Sequence, residues 1–202
     1  MSDHYYTNTP QSKSQQQSWS AELRGMDFTF TTDSGVFSKE KVDYGSTVLL
    51  NAADLTVFPE GLLLDVGCGY GPIGLTLAKQ DPKRTVEMVD INERAIGLAR
   101  KNAADNAVSN VSIYPSSLYE AVQHKAFAGI FSNPPIRAGK QTVHRILEEA
   151  VDYLKPGGLL TIVIQKKQGA PSAQKKMESV FGNVERIALD RGYWILQSKK
   201  AQ

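Results

Sequence analysis

Two stretches of this 202-residue chain carry residue types that local folding alone does not demand. The first is Ser132-Asn133-Pro134-Pro135-Ile136-Arg137-Ala138-Gly139-Lys140. Consecutive prolines remove two backbone donors and hold the chain extended, leaving carbonyls turned outward as acceptors. Asn133 adds a side-chain carbonyl beside them. Together these acceptors could hold an exocyclic amino group by both of its hydrogens, and Arg137 and Lys140, directly downstream, could hold phosphates. The second stretch is Asp65-Val66-Gly67-Cys68-Gly69-Tyr70-Gly71-Pro72-Ile73-Gly74. Glycines leaving the end of a strand let the backbone approach a ligand, because no Cβ stands in the way. Gly69-x-Gly71-x-x-Gly74 also satisfies the dinucleotide pattern, with Asp90 as its ribose acid, so this spacing by itself leaves the cofactor open.

Both stretches need strands to position them. Apolar runs and alternation predict strands at 62–66, 85–90, 110–114, 127–132, 158–165, about 184–188 and about 192–198. Helical periodicity predicts helices at about 71–80, 92–105, 117–123, 142–154 and 170–181. Such alternation implies a mostly parallel sheet covered on both faces, with ligands at the carboxyl ends of the strands. The last two strands lie too close for a helical crossover and are expected to form an antiparallel hairpin through Asp190-Arg191-Gly192. Upstream, residues 1–20 read as a polar arm and 21–202 as a single domain. Met26–Thr31 alternates as a strand, Thr32-Asp33-Ser34-Gly35 turns, and Val36 and Phe37 would begin a returning strand. Ser46 is the expected cap of a short helix carrying Val48, Leu49 and Leu50.

The formal net charge of +2 permits an RNA partner without indicating one. A single cysteine, Cys68, excludes an internal disulfide and a multi-cysteine metal site. His4, His124 and His144 lack metal-ligand spacing, so no metal is expected. The first residues have no apolar signal core and no run approaches membrane-spanning length, which makes a cytoplasmic protein without a membrane partner the expectation.

The form Asp65-x-Gly67-x-Gly69-x-Gly71 resembles the first motif of the class I S-adenosylmethionine-dependent methyltransferases. That resemblance implies an α/β, Rossmann-like fold: a seven-stranded, mostly parallel sheet with one antiparallel strand, helices on both faces and here an N-terminal β-hairpin extension. It implies S-adenosyl-L-methionine as cofactor. Asp65 would contact or orient its methionine end, and Gly67, Cys68 and Gly69 would pass close to it. Cys68 otherwise reads as a small packing residue rather than a nucleophile. Asp90 would accept the ribose hydroxyls, and it or Asn92 could cap the following helix. Ile91 would pack on the adenine. Ser117 stands where many such enzymes carry an aspartate that reads the adenine amino group, and Ser116 or Ser117 could equally be a helix cap.

Asn-Pro-Pro followed by an aromatic marks methyltransferases acting on planar amino groups, namely adenine-N6, guanine-N2 and a protein glutamine side chain. Asn133, Pro134 and Pro135 match, whereas Ile136 departs, which moves base stacking to another residue such as Phe37. Further segments, Phe30 to Ser38, Val42-Asp43-Tyr44-Gly45-Ser46, Leu154-Lys155-Pro156-Gly157-Gly158 and Gly192-Tyr193, are similar to the small-domain methyltransferases of the 16S ribosomal RNA guanine-N2 family. The resemblance runs from about residue 22 to the end. It implies transfer of a methyl group to guanine-N2, with ribosomal RNA or the small subunit as partner, Phe37 and Asp43 over the cofactor, and Ile136, Arg137 and Lys140 on the substrate side. Protein glutamine or adenine-N6 methylation, and a non-catalytic cofactor-binding RNA or assembly factor, are the competing readings. Lys155 to Gly158 reads as a helix stop. Lys166 and Lys167 read either as an extension of an RNA-facing surface or as a solvated loop.

Overall fold

Four residues of continuous hydrophobic or buried character, Leu63–Val66 (β3), form the middle of the molecule in the computed structural model, which describes residues 13–38 and 40–202. Around β3 the chain builds β4 (Val86–Asp90), β5 (Val111–Pro115), β6 (Phe127–Ser132), β7 (Leu154–Gln165), β8 (Glu185–Asp190) and β9 (Tyr193–Lys199) into one seven-stranded sheet. Its order is β5-β4-β3-β6-β7-β9-β8, parallel throughout except for β9, which runs antiparallel to both its neighbours. The expected one reversed strand is therefore present. Arg191 (φ 47°) and Gly192 (φ 81°) make the tight turn between β8 and β9, both in the left-handed region that a two-residue hairpin loop requires.

Helices α1 (Tyr44–Ala52), α2 (Pro72–Gln80) and α3 (Glu93–Asp105) cover one face. Their Leu49, Leu50, Leu75, Leu77 and Ala99 pack in one core with Leu63 and Met88 of the sheet. Helices α4 (Lys140–Tyr153) and α5 (Ala170–Phe181) cover the other, where Ile146, Leu147, Ala173 and Met177 meet Leu64, Val89 and Ile130. Alternate residues of each strand thus feed opposite cores, as a doubly covered sheet demands. Because β3 pairs with β4 on one side and β6 on the other, the chain leaves adjacent strand ends in opposite directions at the β3/β6 boundary. A crevice opens there.

Three sequence expectations are corrected. The N-terminal hairpin pairs β1 (Gln17–Leu23) with β2 (Met26–Thr32) through Arg24 and Gly25, so the polar stretch from Gln17 on is strand rather than arm. Val36 and Phe37 do not form the returning strand. Buried Phe28 and Phe30 turn the hairpin inward, and two side chains, one in α3 and one at its C-terminal cap, fasten it. Asn102 Oδ1 accepts from Thr31 N at 2.7 Å while its Nδ2 donates to the carbonyls of Thr31 and Tyr70. Asn106 pairs in the same way with the amide and carbonyl of Thr29. Second, Asp43 rather than Ser46 caps α1, its carboxylate accepting from Ser46 N at 3.0 Å. Third, 117–123 forms turns and not a helix. The Ser116 hydroxyl donates to Leu118 O and accepts from Ala121 N, holding Leu118 at φ 51°, outside helical space. The Lys155 to Gly158 stretch is an irregularity at the start of β7, where the register to β6 shifts between Phe127 and Gly129.

Candidate active site

The crevice deepens into a cavity of about 590 Å³ walled by the segments that follow β3, β4, β5, β6 and β7. Val36, Phe37, Ser38, Asp43, Ser46 and Tyr193 complete it from the α1 side.

One half is built on the glycine turn. Gly67 and Gly69 adopt φ of 76° and 57°, and the amides of Gly67 and Cys68 both donate to Val89 O. A Cβ placed on Gly67 or Gly69 would meet no protein atom within 4 Å, so the turn borders open space that a ligand can enter. Asp90 lies on this wall and receives Gly69 N at 2.8 Å and Asn92 N at 2.9 Å. Burial pushes its carboxyl up to about 6, against the opposing pull of those amides. Asn92, and not Asp90, caps α3 by accepting from Ala95 N, and its Nδ2 reaches Gly35 O at 3.0 Å to hold the Val36–Phe37 segment over the cavity. Ile91, Cys68 and Ser117 also line the wall, and burial raises the Cys68 thiol far above a nucleophilic range. Asp65 does not line it. It is buried beneath the glycine turn, where one carboxylate oxygen accepts from Gly74 N at 2.8 Å and the other has no partner. Burial pushes its carboxyl up to about 7, with the charge of Asp90 adding to the effect. Asp65, expected to contact or orient the methionine end, braces the turn against the first turn of α2 and does not itself line the cavity. Tyr70, not singled out in the sequence, presents a buried hydroxyl without a partner at the same wall.

The other half follows β6. Asn133 Nδ2 donates to Asp43 Oδ2 at 2.7 Å and to Ser46 Oγ at 3.0 Å. Both amide hydrogens are engaged by the start of α1, so the carbonyl Oδ1 is the atom left for the cavity. Asp43 lines the cavity but its carboxylate serves Asn133 and the cap of α1, a different job from the cofactor contact expected of it. The approach is close: a Cβ on Gly45 would come within 3.0 Å of Asp43 Oδ2 and of the Tyr193 ring. Glycine is what lets α1 begin there. Pro134, Pro135, Ile136 and Arg137 line the cavity, the last two in a short 3₁₀ turn spanning Ile136–Ala138. Lys140 is exposed at the start of α4 and is not part of the wall. Phe37, 44% exposed, stands at the rim as its aromatic surface. The Asp43–Asn133 pair and Tyr193 were within reach of the sequence only as motif members, because nothing local joins residues ninety positions apart.

Among the described residues no group of three histidine, cysteine or carboxylate side chains could hold a metal, and no helix is long and apolar enough to cross a membrane. His4 lies outside the described residues; His124 pairs with Glu87 and His144 with Ser172.

The sequence matches the methyltransferase small domain family over residues 27–197. Among curated relatives, the uncharacterized protein YbxB of Bacillus subtilis is 52% identical over 201 residues, covering 99% of this chain and all of its own length. Ribosomal RNA small subunit methyltransferase C of Aeromonas hydrophila is 38% identical over 169 residues, covering 82% of this chain and 47% of its own length. Among solved structures, the T. thermophilus 16S rRNA N2 G1207 methyltransferase in complex with AdoMet and guanosine superposes with a TM-score of 0.82 at 27% identity. That match covers 95% of this chain and 52% of the other. The chain therefore spans about half the length of these ribosomal RNA methyltransferases.

Proposed function

Since the chain belongs to the methyltransferase small-domain family, we propose that it uses S-adenosylmethionine to methylate an exocyclic amino group, guanine-N2 of 16S ribosomal RNA. The observation that carries this reading is the oriented Asn133 amide. Its two hydrogens are held by Asp43 and Ser46, so Oδ1 is offered as an acceptor, and Pro134 follows it on the cavity wall. The relatives named for 16S ribosomal RNA methylation supply the substrate class.

The cavity fits the cofactor on this chain's own terms. The open space at Gly67 and Gly69 admits it, the Asp90 carboxylate can accept a ribose diol, and the unpartnered Tyr70 hydroxyl can serve a polar group at its amino-acid end. When bound, it supplies an electrophilic methyl group on a sulfonium. Asn133 Oδ1 and the Pro134 carbonyl then accept the two N–H bonds of the target amine, turning its lone pair out of the ring plane toward that methyl. The charge that would develop on that nitrogen as it takes the methyl group would strengthen both hydrogen bonds accepted by Asn133 and Pro134. The surplus proton leaves from the methylated nitrogen to water. Holding the two reactants in line supplies the rest of the acceleration. Phe37 provides the stacking face that Ile136 cannot.

The test is transfer of labelled methyl to unmodified 16S ribosomal RNA, to small subunits and to total protein, followed by mass analysis of the labelled product. N2-methylguanosine is the expected product. Label in N6-methyladenosine or in glutamine would overturn the guanine assignment, and cofactor affinity without transfer to any of them would overturn the enzymatic reading.

A further inference from the structure

The cavity mouth is flanked by positive charge that the fold itself does not use. Lys166 and Lys167 lie exposed in a 3₁₀ turn, Lys166–Gln168, that continues β7 past the cavity wall residue Gln165. Lys166 N donates to Gly192 O at 2.8 Å, which seats this turn against the β8–β9 turn and its exposed Arg191. Arg137 and Lys140 stand on the adjoining rim, after β6. None of these five cations has a carboxylate within ion-pair distance among the described residues, whereas Arg84, Lys101 and Lys176, elsewhere on the surface, do.

Next to these charges runs an aromatic path. The Arg191 guanidinium lies 5.0 Å from the centre of the Tyr44 ring, and Tyr44 meets Tyr193 edge-on at 5.7 Å. Tyr193 lines the cavity. Asp190 accepts from the Tyr44 hydroxyl at 2.6 Å, which fixes the ring under the guanidinium.

Resting on the reading that the substrate is RNA, we propose that the two joined turns form a ledge for the RNA backbone, with Lys166, Lys167 and Arg191 contacting the phosphates that flank the target nucleotide. Unpaired cations at the mouth of a base-sized cavity favour a polyanion over a protein surface, because each phosphate contact releases a condensed counterion. The Arg191–Tyr44 plane offers the flanking base a stacking partner of the kind that single-stranded RNA recognition uses. The ledge lies beside the cavity and outside the groups that hold the amine, so it sets where the RNA lies and leaves the methyl transfer step alone.

The experiment compares the wild-type chain with K166E/K167E, with R191E and with K83E/K199E at the opposite end of the sheet. Binding of an unmodified 16S ribosomal RNA transcript is measured by filter retention over a range of salt, and S-adenosylmethionine binding by calorimetry. The ledge variants are expected to bind the transcript roughly tenfold or more weakly, with a shallower salt dependence, while cofactor affinity and thermal midpoint stay at wild-type values and K83E/K199E binds normally. Transcript binding that is indifferent to the ledge variants, or equally sensitive to K83E/K199E, overturns the proposal. So does a loss seen only with assembled small subunits, which would move the contact to a ribosomal protein. Because binding is read without turnover, the two readings separate. A wild-type chain that binds through the ledge and forms no N2-methylguanosine refutes the methylation and leaves the ledge standing; one that forms it with unaffected ledge variants does the reverse.

Discussion

Asn133 serves as an acceptor only if its amide faces one way, and the two faces of a carboxamide are nearly the same shape, so its neighbours decide. Asp43 decides here. D43N keeps a residue able to cap α1, since Asn and Asp cap equally well, but it replaces an obligate acceptor with a group that can also present donors. A charge-assisted hydrogen bond of this kind contributes about 1.5–3 kcal/mol. The expected outcome is a fall in kcat of roughly ten- to hundredfold with cofactor affinity and thermal midpoint unchanged, read by single-turnover methyl transfer and calorimetry. N133A should abolish transfer with the same indifference of cofactor affinity. A weakened cofactor affinity in D43N would return Asp43 to the role its place in the sequence suggested, over the cofactor. Asp90 gives a second residue-level outcome. Its carboxyl, raised to about 6 by burial, must be ionised to accept two ribose hydroxyls. Cofactor binding therefore weakens as pH falls through about 6 and releases protons there, measurable as buffer-dependent binding heat; D90N should bind weakly at every pH and release none.

At the scale of elements, the glycine turn separates two kinds of glycine. Gly69 at φ 57° faces open space, whereas a Cβ on Gly74 would strike the Met88 side chain at 2.7 Å. G69A consequently costs the fold only the left-handed strain of about 1–2 kcal/mol while its methyl group occupies the ligand's space. G74A disturbs the packing of α2 on β4 instead. Calorimetry and thermal melting should show G69A losing more in cofactor affinity than in stability, and G74A the reverse. The turn was legible because an apolar run breaking into glycines is a local pattern. An N-terminal hairpin containing β2 was legible as well, but its partner strand was not, since Gln17, Ser18 and Ser20 are polar and the strand character of β1 comes from pairing with β2, which Asn102 and Asn106, far along the chain, hold in place. For the same reason 117–123 read as a helix: the helical spacing was present, but the Ser116 hydroxyl ties off a turn that spacing does not register. Asn102 is the bond that matters to the hairpin. N102L leaves the Thr31 amide and carbonyl and the Tyr70 carbonyl without partners in a buried place, a loss of about 3 kcal/mol. Urea unfolding should show a lower midpoint, and the Thr31 amide should exchange far faster than those of β3.

For the whole molecule, strand–helix alternation made the parallel sheet and its doubly covered faces legible, while the order that puts β3 at the switch point was not, since alternation fixes no strand order. That architecture brings the carboxyl ends of β3 and β4 together and with them two acids, Asp65 buried beneath the glycine turn and Asp90 half-buried on the cavity wall. Both carboxyls are raised in the folded chain, to about 7 and about 6, by burial first of all, and the charge of Asp90 further raises Asp65. In the unfolded chain they titrate near the ordinary 3.8. The folded state then binds protons that the unfolded state has released, so this contribution to stability is greatest at acid pH, declines as pH rises through about 4 to 7, and is constant above. Other ion pairs slope the opposite way, which makes the difference between the wild type and D65N the informative quantity. Without cofactor, the wild-type melting midpoint should fall relative to that of D65N between about pH 5 and pH 7.5, and a parallel pair of curves would refute the buried-acid account. S-adenosylmethionine carries a sulfonium and an ammonium, and these positive charges oppose the repulsion between the two ionised acids. The cofactor-induced rise in melting midpoint should therefore grow across the whole of this interval in the wild type, and in D65N only through the ionisation of Asp90 near pH 6. The cavity is most strained, and most receptive, where both acids are charged.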